Sequence, residues 1–283
     1  MRDLTGQTVD GRYRLLSRIG EGAHGQVWKA YDGETGVEVA IKLLRKDTAA
    51  DPEYHERMVR EATAMSTLRG TAAVHIIGSG GERGSFYIAM DLLVGENFED
   101  YLDRLERSAT RMDPAALVWM LKPIVETLDL AHARGIVHRD LKPANIFLID
   151  PNRGGGVRLL DFGLVKFLKA KAMTAHGMVA GTPSYIAPEA WKGNPTLLDH
   201  RIDIYSLGAI VFRALSGRVP FEGENLMEKL KQVTTSERPS LHALRPDLSP
   251  DLDWWVRQVL AIDPNQRFLR VTGMWNALRQ ILT

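Results

Sequence analysis

The stretch His138-Arg139-Asp140-Leu141-Lys142-Pro143-Ala144-Asn145, followed a short way on by Asp161-Phe162-Gly163, constrains this chain more than any other feature. Pro143 lacks an N–H and biases Lys142 away from helical geometry, so Asp140 and Asn145 sit on a structured loop rather than on one helix face. Two short apolar runs follow, Ile146-Phe147-Leu148-Ile149 and Val157-Arg158-Leu159-Leu160, separated by Asp150-Pro151-Asn152-Arg153 and a run of glycines. That pattern predicts a hairpin carrying Asn145 at one end and Asp161 at the other, close in space. An amide oxygen and a carboxylate meeting there are hard donors of the kind Mg²⁺ accepts when phosphates supply the rest of its shell. Asp140 is then the remaining carboxylate, free to accept a proton from an attacking hydroxyl.

Composition narrows the class. The chain has 283 residues, enough for one large or two moderate cores, and its 36 basic residues against 35 acidic ones give no argument for nucleic-acid or membrane binding. The absence of cysteine excludes disulfides, thiolate metal sites and a Cys nucleophile. Met1 to Gln7 lacks the apolar core of a signal peptide, and no apolar run is long enough to cross a bilayer. The expectation is a soluble globular chain without nucleic-acid partners or membrane insertion.

Residues 13–42 read as strand, tight Gly turn, strand, turn, strand. The turn is Gly20-Glu21-Gly22-Ala23-His24-Gly25, and a strand from Gln26 to Tyr31 leaves it. A dinucleotide fingerprint needs a helix at that point and an acid about twenty residues on, so that reading fails. A strand–loop–strand flap fits better, with backbone N–H groups facing phosphate. Lys42 closes the apolar strand Val37 to Lys42; taken alone it reads as a solvated strand end. A helix is predicted from Pro52 to Leu68, its spacing putting Glu61 near the inner face, where an acid costs stability unless paired. Glu61 is therefore the chosen partner of Lys42. Strands at Val74–Ile77 and Phe86–Met90 complete a five-stranded set. Asp113-Pro114 supplies an N-cap and a first-turn proline for a helix that runs to a Gly135 stop, with Pro123 bending it or marking a tolerated kink. Trp254 and Trp255 are both expected in a helical core.

The loop and the Asp161-Phe162-Gly163 triplet together resemble the catalytic and metal-binding motifs of eukaryotic-type protein kinases, in order and at compatible spacing. Val39-Ala40-Ile41-Lys42 is similar to the strand that carries the nucleotide lysine, and Ala187-Pro188-Glu189 to the end of the activation segment. The style of the sequence, including Gly11 to Leu15 and Ser216 to Phe221, resembles bacterial Hanks-type serine/threonine kinases.

The resemblance implies an α+β, bilobal protein kinase fold: a lead-in over 1–12, an antiparallel small lobe with one main helix over 13–93, and a mostly helical large lobe over 94–283. It implies ATP and Mg²⁺, with Mn²⁺ as an alternative ion. Lys42 would hold the α/β phosphates beneath the Gly20–Gly25 flap, and Asn145 and Asp161 the metal. Asp140 would orient the acceptor hydroxyl, and Lys142 would neutralise charge on the transferred phosphoryl. Backbone groups of Asp91 and Leu93 would meet adenine, Met90 would stand behind it, and Val27, Ala40 and Phe147 would sandwich it; each apolar residue also suits a plain core role. Asp203 would anchor the catalytic loop, and Arg267 would pair with Glu189.

Lys142 and Thr182 match kinases acting on serine and threonine of protein substrates. Basophilic relatives carry acids at the positions of Ala144 and Arg213, so selection for Arg just before the acceptor is not expected. In relatives with an Arg at the position of Arg139, phosphate on the activation loop supplies the facing negative charge; the resemblance implies Thr174 as its acceptor, with Arg57 and Lys166 completing the basic pocket and a homodimer as one route to that trans-autophosphorylation, the alternative being that Arg139 pairs with an acid. The expected location is cytoplasmic, either as a whole protein or as the cytosolic part of a membrane-anchored kinase. The alternative is a pseudokinase scaffold or nucleotide-binding module, which would require loss of Lys42, Asp140, Asn145 or Asp161; all four are present. A small-molecule kinase fits the Thr182–Glu189 segment less well.

Overall fold

Alternating apolar residues in the first third of the chain build one antiparallel sheet. The computed structural model describes residues 3–22, 25–44, 62–63, 65–82, 85–162, 183–192 and 198–282. The chain divides into two compact units, Met1–Val94 and Gly95–Thr283.

In the first unit the strands are β1 (Thr8–Val9), β2 (Tyr13–Gly22), β3 (Gly25–Asp32), β4 (Glu38–Leu44), β5 (Ile76–Glu82) and β6 (Ser85–Asp91). They form a six-stranded sheet in the order β1-β2-β3-β4-β6-β5. Its core face gathers Tyr13, Leu15, Trp28, Ala30, Val39, Ile41, Tyr87 and Ala89. The expected set of five strands is thus one short: β1 pairs with β2 through Val9 opposite Tyr13. A two-residue strand has too little pattern to be read in sequence. The fourth strand of the expected set, Val74–Ile77, is displaced to Ile76–Glu82. Its glycines resemble a turn, yet a Cβ at Gly80 would lie 2.9 Å from the Tyr87 ring, so close side-chain approach takes the place of a turn there. Of the helix expected over Pro52–Leu68, residues 62–63 and 65–66 are helical, with Ala62, Met65 and Leu68 buried; its earlier part, including Arg57 and Glu61, lies outside the described residues.

The second unit opens with β7 (Gly95–Asn97), which joins β8 (Ile146–Ile149) and β9 (Val157–Leu159) in a three-stranded sheet. The β8–β9 hairpin has the register Ile146 opposite Leu159. Helices α1 (Phe98–Arg107), α2 (Pro114–Ala133), α3 (Arg201–Ser216), α4 (Leu226–Thr235), α5 (Leu241–Leu244), α6 (Asp251–Val259) and α7 (Val271–Leu282) follow. Asp113 caps α2 by accepting from the Ala116 N–H at 2.9 Å, and α2 stays one helix across Pro123. α3 is buried from Ile202 to Ser216, as befits a helix packed on all sides. Trp255 lies in the core and donates to the Met274 carbonyl at 3.0 Å. Trp254 does not: it is 46% exposed, edge-on to Phe268, because adjacent positions on a helix point about 100° apart.

Candidate active site

In the second unit the Pro143–Asn145 turn tightens the loop so that three predicted side chains meet. Lys142 Nζ lies 3.1 Å from Asp140 Oδ2, and Asn145 Nδ2 donates to Asp140 Oδ2 at 3.2 Å and to the Asp140 carbonyl at 2.7 Å. Asn145 is buried, and its N–H groups are spent inside the loop, which turns the amide oxygen into the end available to a cation. The Leu160 N–H donates to the Asn145 carbonyl at 2.8 Å, so Asp161 begins one residue beyond Asn145's neighbour across the hairpin. Asp161 and Arg139 both take left-handed backbone angles, φ 52° and 62°. That conformation is strained for a side-chain-bearing residue and concentrates at functional sites.

His138 holds this arrangement from below. It is fully buried; its Nε2 meets the Leu160 carbonyl at 2.9 Å, and its Nδ1 lies 3.2 Å from the Asp140 N–H. The Phe162 ring, also buried, packs 4.7 Å from the imidazole. Burial pushes the His138 pKa below its ordinary 6.5, against the pull of nearby Asp203, Asp140 and Asp161.

Asp203, on the first turn of α3, accepts from the N–H groups of His138 and Arg139 at 2.8 and 2.9 Å and meets His132 Nε2 at 2.8 Å. Burial alone would raise its carboxyl pKa; the His132 bond and the two imidazoles outweigh that and hold it below 3.8. Glu189 and Arg267 form a buried, bidentate pair with both bonds at 2.7 Å. Sequence reasoning missed His132, whose only signal is its place beside Ala131 on the buried side of α2.

In the first unit, cross-strand register sorts the nucleotide-side candidates. Lys42 stands opposite Val27 on one side and Ile88 on the other, and Ala40 stands opposite Met90. Directly paired residues share a face, so Lys42, Val27, Ala40 and Met90 lie on the face of the sheet opposite the Trp28–Ile41 core. Lys42 is 6% exposed. The two strands of the flap pair as expected, with Gly20, Glu21 and Gly22 opposite Val27, Gln26 and Gly25. Asp91, exposed, ends β6, and half-buried Leu93 follows it. Phe147 lies on β8 of the second unit, half-buried. Ala23, His24, Arg57, Glu61, Lys166, Thr174 and Thr182 lie outside the described residues.

Asn145 and Asp161 fit Mg²⁺ by donor chemistry: one amide oxygen and one carboxylate, with phosphates to supply the rest. Among the described residues no group of three or more His, Asp or Glu is arranged to hold a metal ion by itself.

A mainly antiparallel unit followed by a helical one, with an aspartate, lysine and asparagine converging at the foot of a hairpin, defines the class. Residues 13–276 match the family model described as the protein kinase domain, and the chain belongs to that family. It is 39% identical over 274 residues to the serine/threonine-protein kinase PknA of Mycobacterium tuberculosis, a match covering 95% of this chain and 61% of that protein. A second relative, the serine/threonine-protein kinase pkn2 of Myxococcus xanthus, is 35% identical over 244 residues, covering 85% of this chain and 29% of that protein. The crystal structure of the Mycobacterium tuberculosis PknI kinase domain aligns with a TM-score of 0.76 at 27% identity, covering 98% of each chain. The chain therefore spans about three fifths or less of the length of these two curated relatives.

Proposed function

We propose that this chain transfers the γ-phosphoryl group of ATP to serine or threonine hydroxyls of protein substrates, with residues 13–93 and 94–283 as its two lobes and 1–12 as a lead-in. The observation that carries the reading is the Asp140–Lys142–Asn145 constellation, hydrogen-bonded within 3.2 Å at the base of the hairpin that leads to Asp161. Asp140 orients the acceptor hydroxyl and takes its proton. Lys142, already beside that carboxylate, offsets charge on the transferring group. Asn145 and Asp161 would hold Mg²⁺, which would supply positive charge to offset that of the triphosphate. Lys42 anchors phosphate from the sheet of the first unit, and ATP supply argues for work in the cytoplasm. Among the described residues no helix is long and apolar enough to cross a membrane.

The test is transfer of labelled γ-phosphate from Mg·ATP to dephosphorylated casein, wild type beside Asp140→Asn. Loss of the base should lower kcat by about 10²–10⁴-fold. Equal rates for the two proteins would refute the reading.

Regulation belongs to the same proposal. Phosphate on Thr174 would bring about −1.5 to −2 charge to Arg139, Arg57 and Lys166 and order the segment. Thr174→Ala should then cut transfer by at least about tenfold, one lost charge-assisted contact or more. Mass spectrometry of the wild-type chain after incubation with Mg·ATP should find the phosphate on Thr174. An unchanged rate in fully dephosphorylated wild type would remove the idea.

A further inference from the structure

α6 leaves three residues exposed, and they form one row: Asp251, Trp254 and Arg257, three positions apart. Leu252, Trp255, Val256 and Val259 are buried on the other side. A helix rises about 1.5 Å per residue, so the acid and the base lie about 4.5 Å along the axis on either side of the indole. Asp253 is committed within the chain, accepting from the Ser240 hydroxyl at 2.6 Å and the His242 N–H at 2.9 Å. Asp251 and Arg257 make no ion pair among the described residues. The helix dipole accounts for an acid in the first turn and a base in the last, but not for a half-exposed indole between them.

The ground beside Trp254 is apolar and rigid. Its ring meets Phe268 edge-on with centroids 6.0 Å apart, and Leu269, next in the chain, is 74% exposed. Side chains from beneath hold the loop that carries them. Arg267 donates to the Ala261 carbonyl at 2.9 Å, and Arg201 to the Pro264 carbonyl at 3.1 Å and the Asn265 side-chain oxygen at 3.0 Å. His200 Nε2 meets the Leu269 carbonyl at 2.8 Å. A surface preset in this way loses little freedom on being covered, and a tryptophan fixed on it is the kind of anchor that carries binding energy.

We propose that this row is an interface between two copies of the chain. Acid, indole and base in that order are self-complementary. Two rows set antiparallel about a two-fold axis bring Trp254 onto Trp254 and each Asp251 against the Arg257 of the other copy. A foreign partner would have to supply base, apolar surface and acid in matching order; a second copy supplies them by symmetry. A row of residues three apart is inclined about 45° to its helix, so the two α6 helices cross near a right angle. Contact is then confined to the middle of each helix and the Phe268–Leu269 corner. That is the small end of specific interfaces, so the dimer is weak, with Kd on the order of 10 µM. The row takes no part in the proposed phosphoryl transfer, so either reading can fail without the other.

The test is sedimentation equilibrium of the 283-residue chain between about 1 and 200 µM, a span that brackets that Kd. Wild type should pass from monomer to dimer across it, and Trp254→Ala should weaken association at least about tenfold. Asp251→Arg and Arg257→Asp should each do the same by setting like charges against each other. Both positions are exposed, so the fold should tolerate the changes. Mixed in equal amounts, these two variants should recover a dimer of wild-type strength containing one of each, because one chain then carries two bases and the other two acids. A folding defect in either variant could not produce that rescue. Wild type monomeric throughout, Trp254→Ala with unchanged association, or a mixture that associates no more tightly than its components overturns the proposal.

Discussion

Both ring nitrogens of His138 are engaged, and in opposite senses. The Leu160 carbonyl can only accept, so Nε2 carries the proton; the Asp140 N–H can only donate, so Nδ1 must be bare. Protonating the ring would set a proton against the amide of the proposed base and place a charge in a dry site. Burial accordingly keeps the His138 pKa below 6.5 despite Asp203, Asp140 and Asp161. The folded chain then binds a proton less readily than the unfolded one. Stability from this residue is complete above 6.5 and is lost as pH falls toward the lowered folded value, at no more than about 1.4 kcal/mol per pH unit. Asp203, held below 3.8, acts in the same direction only in stronger acid. The stability of wild type against urea should therefore fall as pH drops below about 6.5. The curve for His138→Phe, lower throughout, should be flatter in that window. A variant that keeps the full wild-type slope would assign the loss to another group.

At the scale of elements, β7 shows how a strand can be specified by its neighbour. Gly95 has φ 149°, and a Cβ there would fall 1.9 Å from the Leu148 carbonyl oxygen. Gly95→Ala must push β7 off β8, where Asn97 pairs with Phe147 two residues beyond Asn145. The expected cost is about 3 kcal/mol, the upper end for backbone strain of this kind. Hydrogen exchange should show β8 amides losing protection while those of β3 and β4 keep theirs; equal protection everywhere would mean that β7 does not hold β8. The same example explains what could be read in advance. The β8–β9 hairpin and the cap of α2 were legible because their signals are local: apolar runs flanking glycines, and Asp113 before Pro114. β7 was not, since its three residues become a strand only by pairing with a segment far along the chain. The site divides the same way. Asp140, Lys142 and Asn145 meet within one loop and could be read from spacing. His132 acts from one helix on Asp203 of another, where a polar residue on a helix looks the same whether it faces water or a buried partner.

For the molecule as a whole, the proposed chemistry divides its charges between two units that each have their own core. Lys42 belongs to the sheet of the first; Asp140, Asn145 and Asp161 belong to the second. Neither set suffices for a triphosphate: a lysine alone cannot balance the phosphates, and two oxygen ligands alone leave most of a Mg²⁺ shell to the nucleotide. If one nucleotide engages both, binding must stabilise both. At a ligand concentration about a hundred times Kd, Mg·ATP should raise unfolding free energy by about 2.7 kcal/mol. Hydrogen exchange should slow together in β4 and in β8–β9. Lys42→Met should reduce the stabilisation with or without the metal, whereas Asp161→Asn should chiefly remove the difference between Mg·ATP and metal-free ATP. Protection confined to one unit, or an Asp161→Asn chain that still distinguishes the two nucleotide forms as wild type does, would show that the residues do not serve a common ligand.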